Sequence, residues 1–169
     1  PARLLMMLTD ALNGLESAGL IRQVEGDPEL AYLFRHALVQ EAAYASLLKE
    51  ERRRLHQVVG QALEALYPRQ EELAATLAYH FSMAEDHGRA LHYLLRAGDA
   101  YASLWRKPEL DPTNGETALA TYRELLERYP DTDASRRAVA RVTALQNQFA
   151  AKELRTAKFY LRMKAYDSA

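Results

Sequence analysis

The chain has 169 residues, 49% of them apolar and 27% charged, with a net charge of −1. That is the balance of an ordinary globular protein, long enough for one domain or two small ones. It holds no cysteine, which excludes a disulfide framework, a thiolate metal site and a thiol nucleophile. Its apolar runs are too short to span a bilayer and no signal peptide opens it, so membrane insertion is not expected; Pro1 and Ala169 read as the ends of a fragment.

Leucine and alanine are abundant and glycine is scarce, which favours helix over strand. Leu5, Leu8, Leu12 and Leu15 recur at helical spacing, so residues 3–19 are expected as a helix ending at Gly19. The runs "LIRQV" and "LAYLF" flank "EGDPE" and predict a small hairpin. Helix, hairpin and helix in that order is a winged-helix layout, with Phe34 expected to plug its core.

From His36 onward the pattern is almost continuously helical, with four one-sided stripes. They are Leu38, Ala42, Ala45 and Leu48; Leu55, Val59, Ala62 and Leu66; Leu73, Leu77 and Phe81; and Ala90, Leu94, Ala97 and Tyr101. A one-sided stripe requires neighbours on that side. Residues 132–163 contain neither Gly nor Pro and predict one long helix. Asp133 is its expected N-cap, and Ala138, Val142, Leu145 and Phe149 form its stripe.

Tetratricopeptide (TPR) repeats place small and large apolar residues at fixed offsets, so that two helices approach closely and large side chains fill the gaps. Ala74, Leu77, Ala78, Phe81, Ala90, Leu94 and Ala97 match seven of these positions. Ala118, Tyr122, Leu125 and Pro130 make a second, partial match, and Ala157, Tyr160 and Ala169 begin a third. The expected fold is all-α, a TPR-like helical hairpin repeat (an α-solenoid) with a small N-terminal winged-helix-like β-hairpin. Residues 1–68 would form the winged-helix-like segment and following helices, 69–105 a TPR-like hairpin, and 106–169 a further, incomplete TPR segment.

Charge is unevenly spread. Residues 131–164 carry eight basic side chains against three acidic ones. A solvated helix face is the plain reading of that excess; the sharper one is a docking face for a protein partner, with Arg136, Arg137, Arg141, Lys152 and Arg155 as its residues. An uncovered apolar side over 154–163 points to self-association or a partner. The would-be recognition helix "TDALNGLESAG" carries Asp10 and Glu16 and no basic residue, so it repels a duplex, and no nucleic-acid partner is expected.

Nothing points to catalysis or to a cofactor. There is no Gly-rich phosphate loop and no His-Glu-x-x-His. His80, His87 and His92 lie close in sequence but fit no standard metal spacing. Ser46, Ser82 and Ser103 sit in helical stripes without an oxyanion-type glycine turn.

Two resemblances follow from longer strings. "LESAGLI", "FRHALVQEAAYASLL", "RRRLHQVVGQALE" and "LAYHFSMAEDHGRALHYLLRAGDAY" resemble the region after the nucleotide-binding core of bacterial STAND-type signal-transduction ATPases, those associated with adenylate-cyclase or LuxR-type outputs. That resemblance implies a cytoplasmic regulatory arm over residues 4–100 in which His36 faces bound nucleotide. "LWRKPELDP", "ALATYRELLERYPDT" and "AAKELRTAKFYLRMKAYDSA" resemble BamD-type outer-membrane assembly lipoproteins. This second resemblance, over residues 97–169, implies a periplasmic TPR scaffold docking on a barrel-assembly protein, here without the lipid-attached cysteine. The two imply different compartments, so a chimera spliced within residues 97–104 is expected, built around a non-catalytic protein-binding scaffold.

Overall fold

A computed structural model describes residues 2–24, 31–106 and 111–163. The chain divides into two compact units, Pro1–Arg52 and Arg53–Ala169.

In the first unit, α1 (Ala2–Ser17) stops where Gly19 takes a left-handed φ of 72°. Gly19 and Leu20 donate their backbone N–H groups to Glu16 and Leu15 carbonyls, closing the helix end as glycine at this position does. Strands β1 (Ile21–Gln23) and β2 (Tyr32–Phe34) pair antiparallel, with Ile21 opposite Phe34. The turn "EGDPE" lies outside the described residues. Helix α2 (Ala37–Ser46) follows. Helix, hairpin and helix are thus present, but Phe34 is 45% exposed and does not plug a core. Cross-strand partners share one face of a ribbon, and on this face it is Ile21 that is buried.

The second unit holds the core. Helix α3 (Lys49–Leu66) enters it, and a 3₁₀ turn (Glu71–Leu73) leads into α4 (Ala74–Met83). α5 (His87–Leu104), α6 (Thr113–Arg128) and α7 (Asp133–Arg162) follow. α5 packs between α4 and α6, and α7 packs on α6 and reaches α5. All seven residues of the first repeat match are buried, from Ala74 to Ala97. Ala118, Tyr122 and Leu125 of the second are fully enclosed. The all-α repeat array with its small N-terminal hairpin is the observed fold. Pro130 fits its pattern position only as a helix terminator, beyond the end of α6.

Two local expectations are corrected. The N-cap of α7 is Thr132, not Asp133: its side chain accepts the Ser135 N–H at 3.1 Å, and Asp133 is already helical. The inward face of α3 is also different. Leu55, Val59 and Leu66 point outward, at 50%, 40% and 70% exposure, while His56 and Gly60 are buried. Gly60 turns inward because the Phe81 ring fills its side-chain space: a Cβ there would sit 3.0 Å from Phe81 Cε1. Polar arms complete the attachment. Arg53 Nε donates to the Ala84 carbonyl at 3.2 Å, and the Tyr93 hydroxyl donates to Glu64 at 2.7 Å.

Candidate functional site

A groove runs over α5 between its neighbours. One part, with a volume of about 650 Å³, lies beside the 3₁₀ turn and reaches Ser103 and Leu104. The other, about 270 Å³, has Tyr79 and Met83 of α4 on one side and Thr117 and Thr121 of α6 on the other. Ala75, Ala97 and Tyr101 line both parts and join them. The depression exists because the facing positions of α4 and α5 carry alanines, whose methyl groups leave room above the closely packed backbones. Tyr79 and Met83 are 55% and 40% exposed, so apolar surface is available on the wall. Thr117 and Thr121 donate their hydroxyls to helix carbonyls one turn back and carry no unspent donor. Charge sits at the two ends, with Arg69, Glu71 and Glu72 at one and the Glu124–Arg128 pair, 3.3 Å apart, at the other. These volumes suit the side chains of a docked segment rather than a folded domain.

A polar brace ties α5, α6 and α7 together. The Tyr122 hydroxyl on α6 donates to Asp99 on α5 at 2.6 Å, and Arg141 on α7 meets the same carboxylate oxygen at 3.0 Å. Burial, and then the bond to Asp99, push the Tyr122 hydroxyl well above the ordinary tyrosine range. Farther along, Trp105 packs on Gly115 and its ring lies 4.3 Å from that of Phe149. Its indole N–H donates to the Asp111 carbonyl at 3.1 Å.

The five basic residues of the expected docking face all lie on α7, but not as one patch. Arg136 and Arg155 are separated by about 28 Å of helix axis at the usual rise per residue. Arg136 pairs with Asp133 in its own first turn, and Arg141 is part of the Asp99 brace. Arg137 and Arg155 are exposed, and Lys152 lies 3.5 Å from Glu153. Past Phe149 the helix continues with Leu154, Phe159 and Leu161 each more than half exposed. His36 is the exposed residue before α2, with extended backbone and no side-chain cap bond.

The three clustered histidines separate in space. His80 meets His56, His87 stacks edge-on against Tyr129, and His92 against Tyr93. Among the described residues no group of three or more His, Cys, Asp or Glu is placed to hold a metal ion. No helix among them is long and apolar enough to cross a membrane. Sequence reasoning missed the groove and the His56–His80 pair. The alanines at 75, 78, 97 and 100 were the available signal for the groove; residues 24 apart on different helices gave none for the pair.

Helical hairpins stacked through small residues, with an open groove and an internal polar brace, define a helical-repeat scaffold. The family described as "YfiO: Outer membrane lipoprotein" matches residues 52–169, and the chain belongs to that family. The outer membrane protein assembly factor BamD of Vibrio cholerae serotype O1 is 41% identical over 59 residues, 35% of this chain. Those residues span 24% of that relative's length. No solved structure matches. The family match starts at residue 52, one residue before the second unit, and covers residues 97–104. It therefore lends no support to a splice inside α5, and none of these likenesses supports a signalling-ATPase arm.

Proposed function

We propose that this chain is the partner-holding part of an outer-membrane protein assembly factor, and that its groove over α5 receives a segment of the barrel-assembly partner. The carrying observation is the joined groove lined by Ala75, Ala97 and Tyr101, on helices that the Asp99–Tyr122–Arg141 brace holds together. Membership in the lipoprotein family and the likeness to an assembly factor support the choice of partner. The work is done by shape: alanines admit side chains, Tyr79, Met83 and Tyr101 supply apolar contact, and the charged ends set direction.

Arg137, exposed in the second turn of α7, is the rival point of contact for a partner. A photo-crosslinking residue placed at Thr121, and separately at Arg137, distinguishes the two. Crosslinking of the purified barrel-assembly protein from position 121 and not from 137 is the expected result. The reverse pattern would move the contact to α7.

A further inference from the structure

His56 on α3 and His80 on α4 face each other with Nδ1 to Nδ1 at 3.0 Å. The contact needs one proton between the two nitrogens. A neutral pair supplies it, one ring carrying the proton on Nδ1 and the other presenting a lone pair there. A singly protonated pair also supplies it. A doubly protonated pair cannot, because two N–H groups then point at each other and two positive charges repel.

The surroundings oppose the second proton. His56 is 8% exposed. Burial lowers the proton affinity of both rings, and at His80 the charge of His56 adds to it. On α3, Arg53 lies one turn before His56, bonded to the Ala84 carbonyl and 3.5 Å from Glu85; Gln57 donates to Asp86 at 3.4 Å. From the α4–α5 turn, Asp86 also takes the Arg89 backbone N–H. From α5, Arg89 reaches Glu64 and Asp86, and the Tyr93 hydroxyl bonds Glu64. Glu64, Glu85 and Asp86 thus each hold a donor from Arg53, Gln57, Arg89 or Tyr93.

Tyr79 ties the pair to the groove. Its ring is edge-on to both His56 and His80 at 5.4 Å from each, and it also lines the groove between α4 and α6. We propose that the His56–His80 pair is a proton-operated latch: it holds α3 on α4 near neutral pH, and double protonation releases α3 and frees the Tyr79 wall of the groove. The latch itself rests on no ligand; only its effect on binding rests on the proposed role of the groove. The helix it holds is suited to release, because its contacts with the core are mostly polar, through Arg53, His56, Gln57 and Glu64 with only Gly60 and Leu63 beside them, and Leu55, Val59 and Leu66 turn outward.

Hydrogen exchange of the whole chain at pH 7.5 and 5.0, corrected for intrinsic rates, tests this. Peptides covering residues 53–66 should lose at least about tenfold in protection at the lower pH relative to α6. In His80→Gln and His56→Gln that step should vanish, because the remaining ring keeps an amide acceptor in either charge state. A ¹⁹F-tyrosine resonance at position 79 should shift with the same midpoint in the unsubstituted chain. Equal pH response of α3 and α6, or a step that survives in both variants, overturns the latch. A Tyr79 resonance that ignores the step overturns its link to the groove. Neither readout needs a partner, so failure of partner binding in groove variants leaves this test intact.

Discussion

The ring of Tyr122 on α6 occupies the space that a side chain on Gly98 of α5 would need. A Cβ on Gly98 would lie 2.7 Å from Tyr122 Cδ1 and 2.8 Å from Cζ, inside any ordinary contact. Two helices that each carry an enclosed stripe are thereby locked at one separation, and the groove above them inherits that spacing. Gly98→Ala should destabilise the chain by about 1–3 kcal/mol through overpacking, outweighing a helix-propensity gain of about 1 kcal/mol. Urea unfolding gives the sign directly; a stabilised variant would mean that the two helices are free to part.

The second consequence concerns Asp99. Its carboxylate takes both the Tyr122 hydroxyl and Arg141, and the ion pair is partly exposed, with side chains 42% and 60% accessible. Solvent screens such a pair, so Arg141→Ala should cost under about 1 kcal/mol. Tyr122→Phe removes a hydrogen bond and should cost about 0.5–1.5 kcal/mol. A double-mutant cycle between Arg141 and Tyr122 should show coupling, because both act on one oxygen; strict additivity would deny the brace.

Alkaline pH should act through Tyr93 and Tyr122. Burial, with the bond to Glu64, pushes Tyr93 up to about 12, and burial with the bond to Asp99 raises Tyr122 further. A group whose folded value is raised contributes stability that is complete below its unfolded value and is lost as pH rises toward the folded one. Unfolding free energy should therefore fall from about pH 10 upward. Tyr93→Phe should flatten part of that slope and remove one late-ionising group from the tyrosinate absorbance titration. A slope unchanged in Tyr93→Phe would exclude Tyr93 as its source.

The orientation of α3 yields an inverted mutational pattern. Leu55→Gln and Leu66→Gln touch outward positions that are 50% and 70% exposed, and should change stability by no more than about 0.5 kcal/mol. Gly60→Val meets the Phe81 ring, where even a Cβ has only 3.0 Å, and should cost about 1–3 kcal/mol. Thermal unfolding of the three variants separates the two faces; large losses at Leu55 and Leu66 would reverse the assignment.

These contrasts show what the sequence carried. The repeat positions Ala74, Leu77, Ala78, Phe81, Ala90, Leu94 and Ala97 were readable because close helix packing needs small residues at fixed offsets, and all are buried. The Ala138–Leu145 stripe of α7 was readable for the same reason, whereas the absence of Gly and Pro left the helix's continuity for the structure to decide. The face of α3 was not. Periodicity pointed to Leu55, Val59, Ala62 and Leu66, but a glycine opposite Phe81 and a set of polar arms decided the packing, and these depend on partners far along the chain. Thr132 displaced Asp133 as the cap because either residue type satisfies the helix end and only backbone geometry chooses. The groove draws on residues from 69 to 128 across three helices, so no single window of sequence displays it.

The groove's role is tested most directly by binding of the purified barrel-assembly protein to two single variants, Ser103→Arg in one part of the groove and Thr121→Arg in the other. Arg137→Glu on α7 is the comparison. The groove assignment predicts at least about tenfold weaker binding, a loss of about 1.4 kcal/mol or more, for both groove variants at unchanged unfolding midpoint, with Arg137→Glu near the unsubstituted chain. Undiminished binding by Ser103→Arg and Thr121→Arg, with loss in Arg137→Glu, would contradict it.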